Sequence, residues 1–258
     1  MLILAVTMKN IVRKGYNMPN DKTSLLEIKD LSFSYGSVQV LFNISLKVPE
    51  SKVVSLLGAN GAGKSTLLKA ITGGFHVHKG EILFGGEPIT NLPPQRIVEK
   101  GISFVPEGRQ FFREMTVEDN LQLGAYIHRG KSKGELNAAY DEMYEYFPIL
   151  KERRKQIAGT LSGGQQQMLC ISCSLLTRPK LLLIDEPSLG LAPKVISEVW
   201  RILFKLKDKG LTILLIEQNA KLATDISDYI YILKHGEFAA EGTSDYLCAT
   251  DLIKESYF

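Results

Sequence analysis

Gly58-Ala59-Asn60-Gly61-Ala62-Gly63-Lys64-Ser65-Thr66 is the stretch on which the reading of this chain turns. It fits the pattern G-x-x-x-x-G-K-[ST] and follows the apolar run Val53-Val54-Ser55-Leu56-Leu57. Leu67, Leu68, Lys69 and Ala70, all good helix formers, come next. A strand, a glycine-rich loop and a helix in that order make a phosphate-binding loop. Glycines let backbone N–H groups turn inward around phosphate oxygens where a β-carbon would obstruct them. The start of the following helix adds partial positive charge. Lys64 is expected to reach the β- and γ-phosphates, and the Ser65 hydroxyl to ligate Mg²⁺. With glycine at about 7% of residues, a chain of this size matches the pattern by accident on the order of once in a hundred. The flanking strand and helix make accident rarer still. The expectation is a site for a nucleoside triphosphate.

The rest of the composition sets bounds on that site. At 258 residues the chain can bury a core as one large domain, or as a domain with a subdomain. Hydrophobic content of 45% and charged content of 23% place it among ordinary globular proteins. A net charge of +3 is too small to argue for a nucleic-acid partner and suits work near an anionic membrane surface. Three cysteines, an odd number, argue against a disulfide framework and for a reducing compartment. No run approaches the roughly 18 apolar residues of a membrane span. The opening Met1-Leu2-Ile3-Leu4-Ala5-Val6 has its charges after it, the wrong order for a secretory signal. Residues 1–22 are therefore expected to be a disordered tail, or an over-extended start with Met18 as the initiator.

Outward from the loop, Leu26 to Tyr35 alternates loosely and reads as a strand, and Val38 to Val48 as a second one ending at Pro49. With Lys52–Leu57 they suggest an antiparallel edge feeding the strand of the loop. Glu81–Phe84 reads as a short strand, Pro93 to Lys100 as a short helix, and Ile102–Val105 as a buried strand. From about Phe111 to Ala158 the spacing of Val117, Leu121, Leu136, Ala139, Met143 and Phe147 is helical. Beyond it, α/β alternation resumes: helix from Met168 to Leu176, strand Leu181–Ile184, helix Val195–Lys207, strand Leu211–Ile216, helix Leu222–Ile226 and strand Tyr229–Leu233.

Two more constellations bear on the chemistry. Leu181-Leu182-Leu183-Ile184-Asp185-Glu186 is a buried parallel strand that ends in two carboxylates, and ligands of such sheets bind beyond the carboxyl ends of the strands. Asp185 is expected to hold Mg²⁺, directly or through water, and Glu186 to polarise the attacking water. Taken alone, a strand followed by Asp-Glu says little; behind a phosphate loop it says much more. Leu161-Ser162-Gly163-Gly164-Gln165 precedes a helix, with Ser162 as N-cap and two glycines baring backbone N–H groups at a positive helix end. Ser162, Gly163 and Gly164 read as a second phosphate-facing element, against the plainer reading of capping alone.

In their order, the Walker A stretch, LSGGQ and the Walker B strand resemble the ATP-binding cassette ATPases. Val105-Pro106-Glu107-Gly108-Arg109, Thr116-Val117-Glu118-Asp119-Asn120-Leu121, Asp185-Glu186-Pro187-Ser188-Leu189-Gly190-Leu191-Ala192-Pro193 and Ile216-Glu217-Gln218-Asn219 narrow the resemblance to the LivF-type ATP-binding subunit of branched-chain amino acid importers. It covers roughly residues 25 to 248. The fold it implies is an α/β P-loop cassette over 23–248 with an antiparallel β-subdomain and an inserted helical subdomain near 111–160, followed by a C-terminal tail, 249–258. It further implies that Gly58, Asn60, Gly61, Ala62, Gly63, Lys64, Ser65 and Thr66 hold ATP, that Tyr35 stacks on the adenine, and that Glu186 serves the hydrolytic water. Glu107 falls where most such ATPases have Gln, and Gln218 where most have a switch His; both substitutions belong to the subunit type. An amide can hydrogen-bond a phosphate but cannot carry imidazolium charge.

Other features are this chain's own. Gln165 takes a place where relatives often have Glu. Cys170-Ile171-Ser172-Cys173 stands where they usually show Ala-Ile-Ala-Arg; one CxxC gives only half a zinc site, so the pair is expected to be structural. His76 and His78 are expected in a solvated loop. The partners implied are transmembrane permease subunits, a second ATP-binding subunit and an extracytoplasmic substrate-binding protein, with no nucleic acid. The place implied is the cytoplasmic face of the membrane, peripherally. A urea or amide importer of the same type is the nearest alternative. A soluble cassette ATPase acting on nucleic acid or ribosomes is disfavoured by the single cassette and the lack of a basic stripe.

Overall fold

The computed structural model describes residues 24–250, 252 and 253. The expectations for residues 1–22 lie outside them. The described residues divide into two compact units, one from those up to 94 together with those from 212 onward, and the other from residues 95–211.

The first unit carries two sets of strands. β1 (Ser24–Tyr35) and β2 (Val38–Pro49) form an antiparallel hairpin, and β4 (Lys79–Phe84) pairs antiparallel with β1 on its other side. The two-residue β5 (Glu87–Pro88) closes this sheet in the order β2-β1-β4-β5. The loose alternation of β1 has a physical cause. Its register shifts between Ile28 and Leu31, where Asp30 takes φ +51° opposite a bend at Asn43, also φ +51°. The bulge restores Leu31 and Phe33 to the buried face that Leu26 and Ile28 occupy.

The second set runs in the order β10-β9-β3-β8, with β3 (Val53–Leu57), β8 (Thr212–Glu217), β9 (Tyr229–Lys234) and β10 (Glu237–Thr243). Every residue of β3 and β8 is buried, as their unbroken apolar runs require of central parallel strands. β3 pairs parallel with β8 and β9, so Leu57, Glu217 and Ile232 end side by side. This corrects the expectation that β3 continues the antiparallel edge of β1 and β2; none of its pairings is with them. The two sets are tied by Tyr231, whose hydroxyl accepts from Lys47 N at 3.0 Å. Burial pushes that phenol well above the usual tyrosine range.

The helices of this unit are α1 (Lys64–Ile71), α8 (Ala220–Ile226) and α9 (Ser244–Ala249), numbered in chain order with those below. Leu57, Ala223, Ile230, Ile232, Ala240 and Leu247 form one buried cluster, and Leu252 and Ile253 pack against it. β10 and α9 are elements the sequence did not signal: Glu237–Thr243 alternates poorly and carries a glycine. Within the stretch read as a C-terminal tail, the described Leu252 and Ile253 contribute to the core.

The second unit pairs β6 (Ile102–Val105) parallel with β7 (Leu181–Asp185), in register from Ile102–Leu181 to Val105–Ile184. Helix α2 (Pro94–Lys100) leads into β6. Between the strands come α3 (Val117–Gly124), α4 (Lys133–Tyr146), α5 (Pro148–Glu152) and α6 (Gly163–Leu175), and α7 (Pro193–Asp208) follows β7. Three of these helices start on a capping box: Thr116 with Asp119, Ser132 with Glu135 and Ser162 with Gln165. The hydrogen bonds from Thr116 hold the Asp119 carboxyl below the usual range, and those from Ser132 do the same for Glu135. α3 and α6 meet closely: a β-carbon at Gly124 would lie 2.9 Å from Cys173 Cα.

Candidate nucleotide site

In the first unit the phosphate loop leaves β3 at the carboxyl edge where β8 and β9 also end. Its glycines are required by geometry. A β-carbon at Gly58 would stand 2.5 Å from Leu233 O, and one at Gly63, where φ is +109°, would stand 2.8 Å from Leu41 Cδ2. Gly61 also sits in the left-handed region, at φ +79°. Gly63 is the N-cap of α1, so no side chain caps that helix, and no acidic residue lies in its first turn. A helix start normally has its N–H groups satisfied by a cap, water or a ligand, and one bare of side-chain caps suits an anion. Lys64 is only 4% exposed, and its Nζ donates to Gly58 O at 2.8 Å and Ala59 O at 3.0 Å. A buried ammonium thus lies folded over the loop it follows, with Ser65 and Thr66 half-buried beside it.

Tyr35, at the end of β1, is 45% exposed and braced edge-on by Phe33 and Phe75, at centroid distances of 5.0 and 5.3 Å. Its hydroxyl lies 3.4 Å from Thr66 Oγ1. A fixed, exposed ring beside the loop is what stacking on a base needs, worth about 0.5–1.5 kcal/mol beyond burial. Gln218, one residue past β8, donates from Nε2 to Asn60 Oδ1 at 2.5 Å. Its place is fixed from behind: the buried Glu217 carboxylate accepts from the N–H groups of Gln218 and Asn219, and Asn219 caps α8. The unit therefore brings Tyr35, Asn60, Lys64, Thr66 and Gln218 to one loop.

In the second unit Asp185 ends β7, 4% exposed, and Glu186 follows at φ +46°. A left-handed non-glycine residue is sterically costly and reverses the chain at once. Val105, the last residue of β6, pairs with Ile184, so the Pro106-Glu107 exit and the Asp185-Glu186 exit share one edge; Glu107 is exposed there. Buried oxygen donors of this kind match a small hard cation such as Mg²⁺.

α6 begins at Gly163, five residues before the expected start at Met168. The reason is the cap: Gln165 Oε1 accepts from Ser162 N at 3.0 Å, and Gln165 N donates to Ser162 Oγ at 3.4 Å. The box accepts Gln or Glu alike at its third position, which accounts for Gln165. Gly164 packs against α7, where a β-carbon would fall 2.3 Å from Val195 Cγ1. Gly163 lies under the guanidinium of Arg109, which sequence reasoning did not single out; no local pattern signals a contact between residues 54 apart.

Cys170 and Cys173 are held as thiols by burial. It pushes Cys170 up to about 12 against a weaker opposing pull from Arg109, and it also raises Cys173. Cys173 Sγ donates to Asn120 O at 3.4 Å. Among the described residues no group of three His, Cys, Asp or Glu is arranged to hold a metal ion. His76 and His78 are both exposed, their rings 4.9 Å apart. The second unit has a cleft of about 340 Å³ bordered by Phe104, Leu123, Tyr126, Ile127 and Cys173. Phe112 and Tyr126 stand 62% and 61% exposed.

A family model described as ABC transporter matches residues 41–189. The chain belongs to the ABC transporter family. It is 42% identical over 233 residues to the high-affinity branched-chain amino acid transport ATP-binding protein BraG of Pseudomonas aeruginosa, covering 90% of this chain and 99% of that one. It is 38% identical over 225 residues to the probable branched-chain amino acid transport ATP-binding protein LivF of Archaeoglobus fulgidus, covering 86% and 94%. Among solved structures it resembles the dimeric post-hydrolysis state of the ATP-binding cassette MJ0796 bound to ADP and Pi. There the TM-score is 0.76 at 25% identity, covering 85% of this chain and 98% of that one. The α/β cassette fold and ATP as the nucleotide, expected from the motifs, both hold for this ABC ATPase. Among the described residues no helix is long and apolar enough to cross a membrane.

Proposed function

We propose that this chain is the ATP-hydrolysing subunit of an importer for branched-chain amino acids, seated peripherally on the cytoplasmic face of the membrane. The observation that carries the reading is similarity to BraG through almost the whole of both chains, with Glu107 and Gln218 in the places the LivF-type pattern gives them. Residues 58–66 hold the triphosphate: Lys64 moves from the Gly58 and Ala59 carbonyls to the β/γ-phosphates, and the uncapped start of α1 supplies N–H donors. Tyr35 stacks on the adenine. Ser65 and Asp185 would each offer an oxygen to Mg²⁺, which when bound would supply charge to offset that of the phosphates. Glu186 orients the water, Glu107 senses the γ-phosphate side, and Gln218, tied to Asn60, offers it an uncharged amide.

Ser162, Gly163 and Gly164 serve the phosphate of a second ATP-binding subunit, so two chains share two nucleotides. Permease subunits seat on the second unit's exposed apolar side chains: Leu123, Tyr126 and Ile127, which border the cleft, and Phe112. An extracytoplasmic binding protein delivers the substrate. Urea or a short amide would use the same ATPase, because the cargo pocket lies in other subunits. Purification of the tagged chain from membranes, followed by identification of what co-purifies, tests the assembly. Two permease chains and a sister ATPase are expected, and recovery of the chain alone from gently solubilised membranes would count against it.

A further inference from the structure

We propose that Arg109 is a positioning residue for ATP hydrolysis, a strut that holds the start of α6 and the segment after Glu186 in one arrangement. The proposal rests on the roles given above to Glu186 and to residues 162–164.

The backbone prepares the contact. Gly108 and Arg109 are consecutive left-handed residues, at φ +85° and +54°, which reverse the chain immediately after Glu107. A non-glycine residue in that region is disfavoured, so its placement has to be held by other contacts. Arg109 Nη2 donates to Leu189 O at 3.2 Å. Its Nη1 lies 2.7 Å from where a β-carbon on Gly163 would stand, and Nη2 lies 3.6 Å from the same position on Gly190. One planar fork therefore covers the first residue of α6 and grips the turn that begins at Glu186, whose carbonyl accepts from Leu189 N at 3.1 Å.

The location is unfavourable for the helix by itself. A cation beside a helix N-terminus is repelled by the helix dipole. What the arrangement supplies is geometry: the turns at 107–110 and 186–190 and the start of α6 at 162–164 are joined through one side chain. Misplacing a positioned group by about 1 Å can cost on the order of 10² in rate. Arg109 itself touches no reacting atom in this account. Lysine at this position would keep the charge without the fork.

The test uses the assembled complex in single-turnover hydrolysis of radiolabelled MgATP, with the nucleotide affinity and stoichiometry of this chain titrated separately. Arg109→Ala should lower the hydrolysis rate constant fivefold or more while ATP still binds once per chain with Kd within threefold, because residues 58–66 are untouched. A smaller loss overturns the proposal; a loss matched by missing nucleotide sites would mean unfolding instead. Should that variant not fold, Arg109→Lys carries the same test with a threshold of threefold. Glu186→Gln is run beside it: if that change leaves the rate intact, the reading of Glu186 has failed. If Glu186→Gln is slow and Arg109→Ala is fast, the strut alone has failed.

Discussion

Lys64 Nζ donates to the carbonyl oxygen of Gly58 at 2.8 Å, so the ammonium that follows the phosphate loop lies folded back upon its first residue. The lysine is buried and its charge is already directed at the loop. Exchanging carbonyl partners for phosphate oxygens replaces neutral acceptors with charged ones, adding charge–charge attraction to hydrogen bonds that the ammonium already strengthens.

Lys64→Ala should accordingly weaken nucleotide binding and lower hydrolysis by about 10² or more, the usual weight of one donor aimed at developing charge. ATPase assays on the variant assembled with its partners check this. Undiminished turnover would remove residues 58–66 from the site.

Glu186→Gln separates binding from chemistry. The side chain sits at a backbone reversal just beyond the buried end of β7. ATP should bind as before, while hydrolysis slows by about 10²–10⁴, the contribution of a positioned base. A loss below threefold would mean that another group handles the water.

Ser162→Arg tests the shared site. Ser162 caps α6 in the second unit, and the phosphate loop belongs to the first. The variant should suppress hydrolysis in the assembled transporter by about 10³ or more, the scale of transition-state stabilisation supplied from a second chain. The isolated chain should keep its own ATP affinity. Loss of that affinity would mean that the helix end serves the chain's own nucleotide.

The cysteines give a prediction in pH. Cys170 and Cys173 are neutral thiols whose titration is raised by burial, to about 12 for Cys170 against an ordinary value of 9.0. A raised acid favours the folded state while it stays protonated. Its contribution is full below pH 9 and is lost as pH climbs toward about 12. At pH 8 an aromatic disulfide reagent should therefore label only the exposed Cys248 quickly, and all three cysteines after unfolding. Three fast equivalents in the native protein would contradict the buried assignment. Replacing Cys170 and Cys173 by Ala should leave ATPase activity within a fewfold, since neither is among the residues proposed to hold the nucleotide or its water.

Much of the architecture was legible because its signals are local. The buried run at 181–185 announces a parallel strand, and the glycines at 58, 61 and 63 announce the loop between strand and helix. What was not legible depends on contacts distant in sequence. β3 reads as an extension of the preceding hairpin until its pairing with β8 and β9, more than 150 residues away, places it elsewhere. Ser162 reads as an N-cap, yet two glycines, poor helix formers, push the expected first turn of α6 to Met168; they are tolerated because Ser162 and Gln165 cap the turn and Val195 leaves no room for a side chain. The contacts of Gln218 with Asn60 and of Arg109 with Leu189 likewise exist only once the loops are folded.

Uptake measures the central claim most directly: radiolabelled leucine entering proteoliposomes that contain the complex, ATP on the side of this subunit, and its binding protein on the other. Uptake should require ATP, fall to background with Lys64→Ala, and be competed by isoleucine and valine but not by urea. Uptake unaffected by Lys64→Ala, or competed by urea and not by the branched-chain amino acids, would contradict the account.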